Sequence, residues 1–278
     1  MSVRQRDWPF AMTALSTHDT KRSEDVRARL TALAELPGEW ESTITELQRL
    51  APMPDAGLAN LLWQATVGAW PISRERIHAY AEKAMREAGE HTTWTDPDES
   101  FEAGVHAALD AAYDDEAVAA VLETFVARIE PAGRSNALAL KLMALTLPGV
   151  PDVYQGSELG DLSLVDPDNR RPVDFDAAVA GLVDGSNEKQ ALTAEALRLR
   201  RDRPELFTSY DAVPAEGPAA EHVLAFDRGG AITVATRLPL GLQAKGGWGD
   251  TVLRLPDGTT RRVDSILSTR TAQIVVHR

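Results

Sequence analysis

The chain has 278 residues, 44% hydrophobic and 26% charged, with no cysteine and a formal net charge of −13. Without cysteine there are no disulfides and no thiolate metal sites. The acidic balance argues against a nucleic-acid partner, whose phosphates need a basic surface, and the length suits one large domain or two smaller ones.

Residues 1–7 contain no apolar core and do not read as a secretory leader. Residues 10–15, Phe-Ala-Met-Thr-Ala-Leu, are β-capable and apolar, and they stop abruptly at Ser16, Thr17, His18, Asp19, Thr20, Lys21 and Arg22. A core strand has no use for such a cluster, whereas the C-terminal mouth of a parallel sheet or barrel does. A helix is expected from Ser23, which can cap it. Glu24 and Asp25 suit the positive end of its dipole. Val26, Leu30, Leu33 and Ala34 share one face, and Pro37-Gly38 should end the helix.

Residues 39–130 read as a helical insertion. Leu47 and Leu50 mark one helix, Leu58, Leu61, Leu62, Ala65 and Val67 another, and Pro71 breaks the pattern. Residues 77–88, 101–113 and 117–128 follow, with no strand among them. Trp40, Trp63, Trp70 and Trp94 are read as helix packing. His78, His91 and His106 are too scattered for a metal site. The acidic runs 96–102 and 114–116 are read as solvated helix starts.

A further apolar helix spans 135–147. Pro148-Gly149 punctuates it, and Val150 to Tyr154 reads as a short buried strand. This second strand also ends in polar groups, Tyr154, Gln155 and Glu158, and opens a loop (155–172) carrying Asp168, Asn169, Arg170 and Arg171. The apolar run 137–150 is interrupted by Lys141 and Pro148 and is too short to span a bilayer, so a cytoplasmic protein without a membrane partner is expected. Helices at 174–182 and 188–203 stop at Pro204. Beyond it, strands at 222–226, 232–235, 251–255 and 273–277, with the hairpin signal Pro256-Asp257-Gly258-Thr259, predict a small antiparallel β domain. The expected division is 1–204 and 205–278.

Two strand–loop–helix units of this kind are the grammar of a parallel barrel, but a (β/α)8 barrel needs eight strands. Three segments carry a closer likeness. Residues 15–29 (Leu-Ser-Thr-His-Asp-Thr-Lys-Arg-Ser-Glu-Asp-Val-Arg-Ala-Arg), 147–160 and 165–174 (Val-Asp-Pro-Asp-Asn-Arg-Arg-Pro-Val-Asp) resemble the strand-seven and strand-eight motifs of glycoside hydrolase family 13, the α-amylase family. The form is that of its intramolecular glucosylmutases.

The resemblance implies an α/β plus all-β fold class. The chain would be the C-terminal part of a (β/α)8 TIM barrel, with strands seven and eight, the insertion between them and a closing antiparallel β-sandwich. It also implies a maltooligosaccharide substrate; no cofactor and no metal are expected from the residues themselves. The reaction converts the reducing-end α-1,4 bond to an α,α-1,1 bond, leaving a terminal trehalose unit.

By the same resemblance, Asp19 matches the third family carboxylate, which stabilises the charged transition state, and His18 matches the histidine beside it. Lys21 and Arg22 are candidate acceptor contacts. Tyr154, Gln155, Glu158, Asp168, Asn169, Arg170 and Arg171 are candidate substrate contacts, with one of the paired arginines expected to be structural. The nucleophile and general acid belong to strands four and five of the family, which this chain does not encode. Its expected partner is therefore the N-terminal part of the same enzyme, and alone it should be inactive. A related hydrolase of the family and a non-catalytic carbohydrate-binding module are the alternatives.

Overall fold

The computed structural model describes residues 1–276. In chain order the helices are α1 (Ser2–Asp7), α2 (Glu24–Thr31), α3 (Pro37–Leu50), α4 (Ala56–Ala69), α5 (Arg74–Ala88), α6 (Glu99–Asp114), α7 (Glu116–Thr146), α8 (Phe175–Asp184), α9 (Glu188–Asp202), α10 (Pro239–Ala244) and α11 (Val263–Ile266). The strands are β1 (Met12–Thr13), β2 (Val150–Pro151), β3 (Asp211–Ala212), β4 (Ala215–Glu216), β5 (Val223–Asp227), β6 (Ala231–Thr236), β7 (Val252–Arg254), β8 (Thr260–Arg262) and β9 (Ala272–Val276). Two compact units divide the chain. Of the described residues, one comprises Met1–Thr17, Ala132–Asp161 and 170–276; the other comprises His18–Pro131 and Leu162–Asn169.

The second unit is helical. Asp55, Ser73 and Asp98 each stand at a helix N-cap and accept a backbone N–H three residues on, which satisfies a donor the helix cannot. Gly89 ends α5 in the left-handed region at φ 66°, where a side chain would be strained. Ser23 stands at the N-cap of α2 as expected, but its hydroxyl makes no capping bond. The helical stretch from Ser23 stops before Pro37, α2 at Thr31 and a 3-10 turn at Glu35, and Pro37 then opens α3, where a missing N–H costs nothing. Helix α2 packs closely on α4 through Gly68. A Cβ there would stand 2.9 Å from Val26 Cγ1 and 3.0 Å from Leu30 Cγ.

Pro131 does not break α7. The segments expected at 117–128 and 135–147 form one helix, and the division between the units falls inside it. Of the tryptophans, Trp63 is fully buried, Trp40 packs on Phe125 and Trp70 on Tyr113, but Trp94 is exposed. The acidic runs are not all solvated. Glu102 is buried and takes both Arg86 Nε and Nη2 at 2.8 Å. His78 and His106, far apart in the chain, stack with their Nδ1 atoms 2.7 Å apart, and His78 Nε2 lies 3.0 Å from Asp110. No group of three or more potential ligands is placed to hold a metal among the described residues.

In the first unit β1 and β2 form a parallel pair, Met12 opposite Val150 and Thr13 opposite Pro151. Both strands are far shorter than expected, because each has a single neighbour here and ladder pairing sets strand length. Nor is β2 buried: Val150 and Tyr154 are both exposed. The C-terminal region forms two antiparallel sheets, β3-β5-β6-β9 and β4-β7-β8. Between them lies a core of Val213, Val223, Ile232, Val234, Leu253, Leu255, Val263 and Ile266. The other face of β6 and β9 packs Ala231, Ala235, Ala272 and Ile274 against Leu138, Leu142 and Leu145 of α7 and Leu192 and Ala196 of α9. The expected hairpin joins β7 to β8 with Gly258 at φ 84°. The final strand runs to Val276, and the expectation for His277 lies outside the described residues. No helix among the described residues is long and apolar enough to cross a membrane.

Candidate active site

The polar loop that follows β1 is a cluster of facing charges. Lys21 Nζ stands 3.4 Å from Asp19 Oδ1 and 3.8 Å from Glu87 Oε2 of α5, and His18 Nε2 stands 3.6 Å from Asp19 Oδ2. The His18 and Asp19 side chains are each 71% exposed. The Asp19 carboxylate is therefore open to a ligand that brings its own hydroxyls. Lys21 sits at φ 62°. A non-glycine residue there stores strain, a condition that clusters at functional sites. Arg22 turns away and donates from Nη2 to the Leu61 carbonyl at 3.3 Å. Thr20 Oγ1 donates to the Arg22 carbonyl at 3.1 Å.

The second half of the 15–29 motif is scaffold. Val26 and Ala28 are fully buried against α4, and Arg29 donates to the carbonyls of Val67, Gly68 and Trp70 at the end of that helix. Three terminal carbonyls that no helical N–H can reach are thereby satisfied. Burial lowers the Arg29 pKa. The loop is thus rooted on one side in α2 and α4, with Ser23 N–H donating to the Ser163 carbonyl at 3.1 Å.

Asp168 belongs to the same unit but does not present its carboxylate outward. Its side chain is 3% exposed; it accepts from Arg76 Nε at 2.6 Å and from Leu164 N at 2.7 Å. Asn169 is half-buried in the same turn.

Tyr154, Gln155, Glu158, Arg170 and Arg171 lie in the other unit. Tyr154, Gln155, Arg170 and Arg171 are exposed and Glu158 is half-buried. The 154–159 loop is held from below: Lys141, 2% exposed, donates from Nζ to Ser157 Oγ at 3.4 Å, and Lys189 Nζ donates to the Leu159 carbonyl at 3.1 Å. Gly156 is at φ 81°, and a Cβ would meet Val173 Cγ2 at 3.1 Å, so this position favours glycine. The strand beneath is set by arginines that reach the carbonyls where α7 ends. Arg200 donates to Leu145 O and Gly149 O, Arg228 to Thr146 O, and Arg4 to Pro148 O.

Sequence reading missed Glu87, Arg76 and Lys141. Glu87 and Arg76 carry no signal that separates them from other charges on α5. Lys141 had one, a lone cation in an apolar helical run, read only as an interruption.

No family model matches the chain. A curated relative from Mycobacterium tuberculosis (strain ATCC 25618 / H37Rv), provisionally named maltooligosyl trehalose synthase, is 52% identical over 268 residues, covering 93% of this chain and 35% of its own length. The solved maltooligosyltrehalose synthase of Arthrobacter ramosus is 50% identical with a TM-score of 0.93, covering 100% of this chain and 40% of that one. A solved glycosyltrehalose synthase, DSM5389, is 26% identical with a TM-score of 0.80, covering 97% and 38%. The chain spans little more than a third of the length of the relatives it matches. Along essentially its whole length, the chain is homologous in sequence and fold to a part of the maltooligosyltrehalose synthases.

Proposed function

We propose that this chain is the C-terminal part of an intramolecular transglucosylase of glycoside hydrolase family 13. The enzyme converts the reducing-end α-1,4 bond of a maltooligosaccharide to an α,α-1,1 bond. β1 and β2 are strands seven and eight of its (β/α)8 barrel, and the C-terminal sheets are its closing β-sandwich. The observation that carries this reading is the Asp19 loop: an open carboxylate with an imidazole and an ammonium beside it, at the C-terminal end of a parallel strand, in a chain half identical to these synthases.

In the proposed mechanism a retaining site uses a carboxylate nucleophile and a carboxylic acid about 5 Å apart, around an oxocarbenium-like transition state. Both belong to the upstream part of the enzyme. Asp19 supplies the third carboxylate: it accepts hydroxyls of the glucose being transferred and stabilises positive charge as it develops. Such an interaction strengthens toward the transition state and so lowers the barrier. His18 holds the same sugar from the next position. Lys21 holds the acceptor glucose while its attacking hydroxyl changes from O4 to O1. Arg170, Arg171, Tyr154, Gln155 and Glu158 are further sugar contacts in this reading.

The partner is the rest of the barrel. Parallel sheets are covered on both faces and paired at their edges. Yet the short β1–β2 pair leaves Phe10 84% and Met12 75% exposed, and Val150, the register partner of Met12, is exposed as well. Such an apolar patch marks an interaction surface. The test is maltopentaose turnover. The isolated chain should give none, and the enzyme completed with its upstream portion should give product with a terminal trehalose unit. Turnover by the isolated chain, or glucose release by the completed enzyme, would overturn the reading.

A further inference from the structure

We propose that Arg76 is a positioning residue for the Asp19 loop, acting through Asp168 and the 163–168 turn. This inference rests on the role given to Asp19 above.

Arg76 lies on α5, 92 positions from Asp168, and the pair is nearly closed to solvent, with side chains 12% and 3% exposed. The guanidinium is used as a fork. Nε donates to Asp168 Oδ1 at 2.6 Å, and Nη2 donates to the Leu164 carbonyl at 2.6 Å and the Asp166 carbonyl at 3.5 Å. The other carboxylate oxygen of Asp168 accepts the Leu164 N–H at 2.7 Å. Arg76 thus holds both ends of one turn. Next to Leu164, the Ser163 carbonyl accepts the Ser23 N–H at 3.1 Å. Ser23 is fully buried and is followed by the buried Glu24 and Asp25. Immediately before it come Lys21, in the left-handed region, and Asp19.

A strained loop keeps its conformation only when its surroundings over-determine it, and the Ser163 carbonyl is one of the two roots of this loop. Arginine is required by geometry. Lysine would keep the charge but offers one ammonium, which cannot span Asp168 and Leu164 O in the planar arrangement. Asp168 therefore acts on substrate at second hand, as the anchor of the turn.

The experiment is a double-mutant cycle on kcat in the enzyme completed with its upstream portion, using Arg76→Met and Asp19→Asn. A displacement of about 1 Å in such a loop costs up to about 100-fold. Arg76→Met should therefore lower kcat roughly 10- to 100-fold in the otherwise unaltered enzyme. In the Asp19→Asn background it should lower kcat by less than about threefold, because residues that act as one unit are not additive. Amide exchange should speed up at 19–23 and 163–168 and stay unchanged in α6. A residue that merely holds the fold would give additive losses and faster exchange throughout the unit, and that result would overturn the proposal. If Arg76→Met does not fold, Arg76→Lys runs the same cycle with the same two outcomes. Near-normal kcat in Asp19→Asn alone would overturn the role of Asp19 and this inference with it. A crippled Asp19→Asn with an additive Arg76 variant would overturn this inference alone.

Discussion

The Lys21 ammonium stands 3.4 Å from the Asp19 carboxylate, on a backbone turned to φ 62°. Both side chains are well exposed, so the pair contributes little to stability, and the strained backbone is kept for another reason. In the completed enzyme Asp19→Asn should lower kcat by orders of magnitude at nearly unchanged stability. Steady-state kinetics with maltopentaose, beside a thermal melt, checks both halves.

Lys21→Gly separates strain from function. Glycine adopts a positive φ freely, and relieving a left-handed residue recovers about 1 kcal/mol. The variant should melt at the same temperature or higher while losing activity. A lower Tm would show that the Lys21 side chain holds the loop, which its exposure argues against.

Two of the glycines of the helical unit, Gly68 and Gly38, should respond oppositely to alanine. At Gly68 the new Cβ would press on Val26 and Leu30 at about 3 Å, and overpacking of this kind costs about 1–3 kcal/mol. At Gly38, in the first turn of α3, the Cβ meets nothing within 4 Å. There Gly→Ala should stabilise by about 0.5–1 kcal/mol through the unfolded chain. Urea midpoints of the two variants decide it.

Arg228 is 2% exposed and donates to Thr146 O, Ser209 O, Phe207 O at 2.7 Å and Gln5 Oε1 at 2.8 Å. Burial, and then the nearby Arg200, bring its pKa down to about 10, so it remains charged at neutral pH. Arg228→Met would strand the buried Thr146 carbonyl and the part-buried carbonyls of Phe207 and Ser209, a fully buried one costing about 1–3 kcal/mol. We expect a loss of about 3 kcal/mol or more in urea unfolding, and a loss below 1 kcal/mol would mean that water replaces the guanidinium.

Acid should weaken the helical unit in two windows. Burial first, and then His78, push the His106 pKa below its ordinary 6.5, against the pull of Glu102, Glu82 and Asp110. Below pH 6.5 the unfolded chain takes up a proton that the folded one resists. This contribution is therefore whole above 6.5 and is lost as pH falls toward the lowered value. His106→Gln should flatten that window. The Arg86 hydrogen bonds, and then the one from Thr92, hold Glu102 at about 2. Its contribution is present above 4.5 and is lost as pH falls toward 2. Arg86→Met should erase this second window. Urea midpoints from pH 7 to pH 2.5 follow both.

The sequence by itself determined the elements whose information is local. Helical spacing located α4, α5 and α6, and alternation with turn chemistry located β5, β6, β7 and β9. The abrupt change from apolar to polar after residue 15 located the Asp19 loop. Tertiary structure alone decided what depends on partners far along the chain. Whether Pro131 breaks a helix is decided by what packs around it, and the lengths of β1 and β2 by which strands are present to pair. The roles of Arg29, Arg76 and Arg228 were hidden because an arginine that satisfies buried carbonyls has the same local pattern as a solvated one. Their acceptors lie up to 223 positions away, and only folding brings donor and acceptor within a hydrogen bond. Asp168 is a case of the same kind: sequence shows a carboxylate in a polar loop, and the fold turns it inward onto the Arg76 guanidinium.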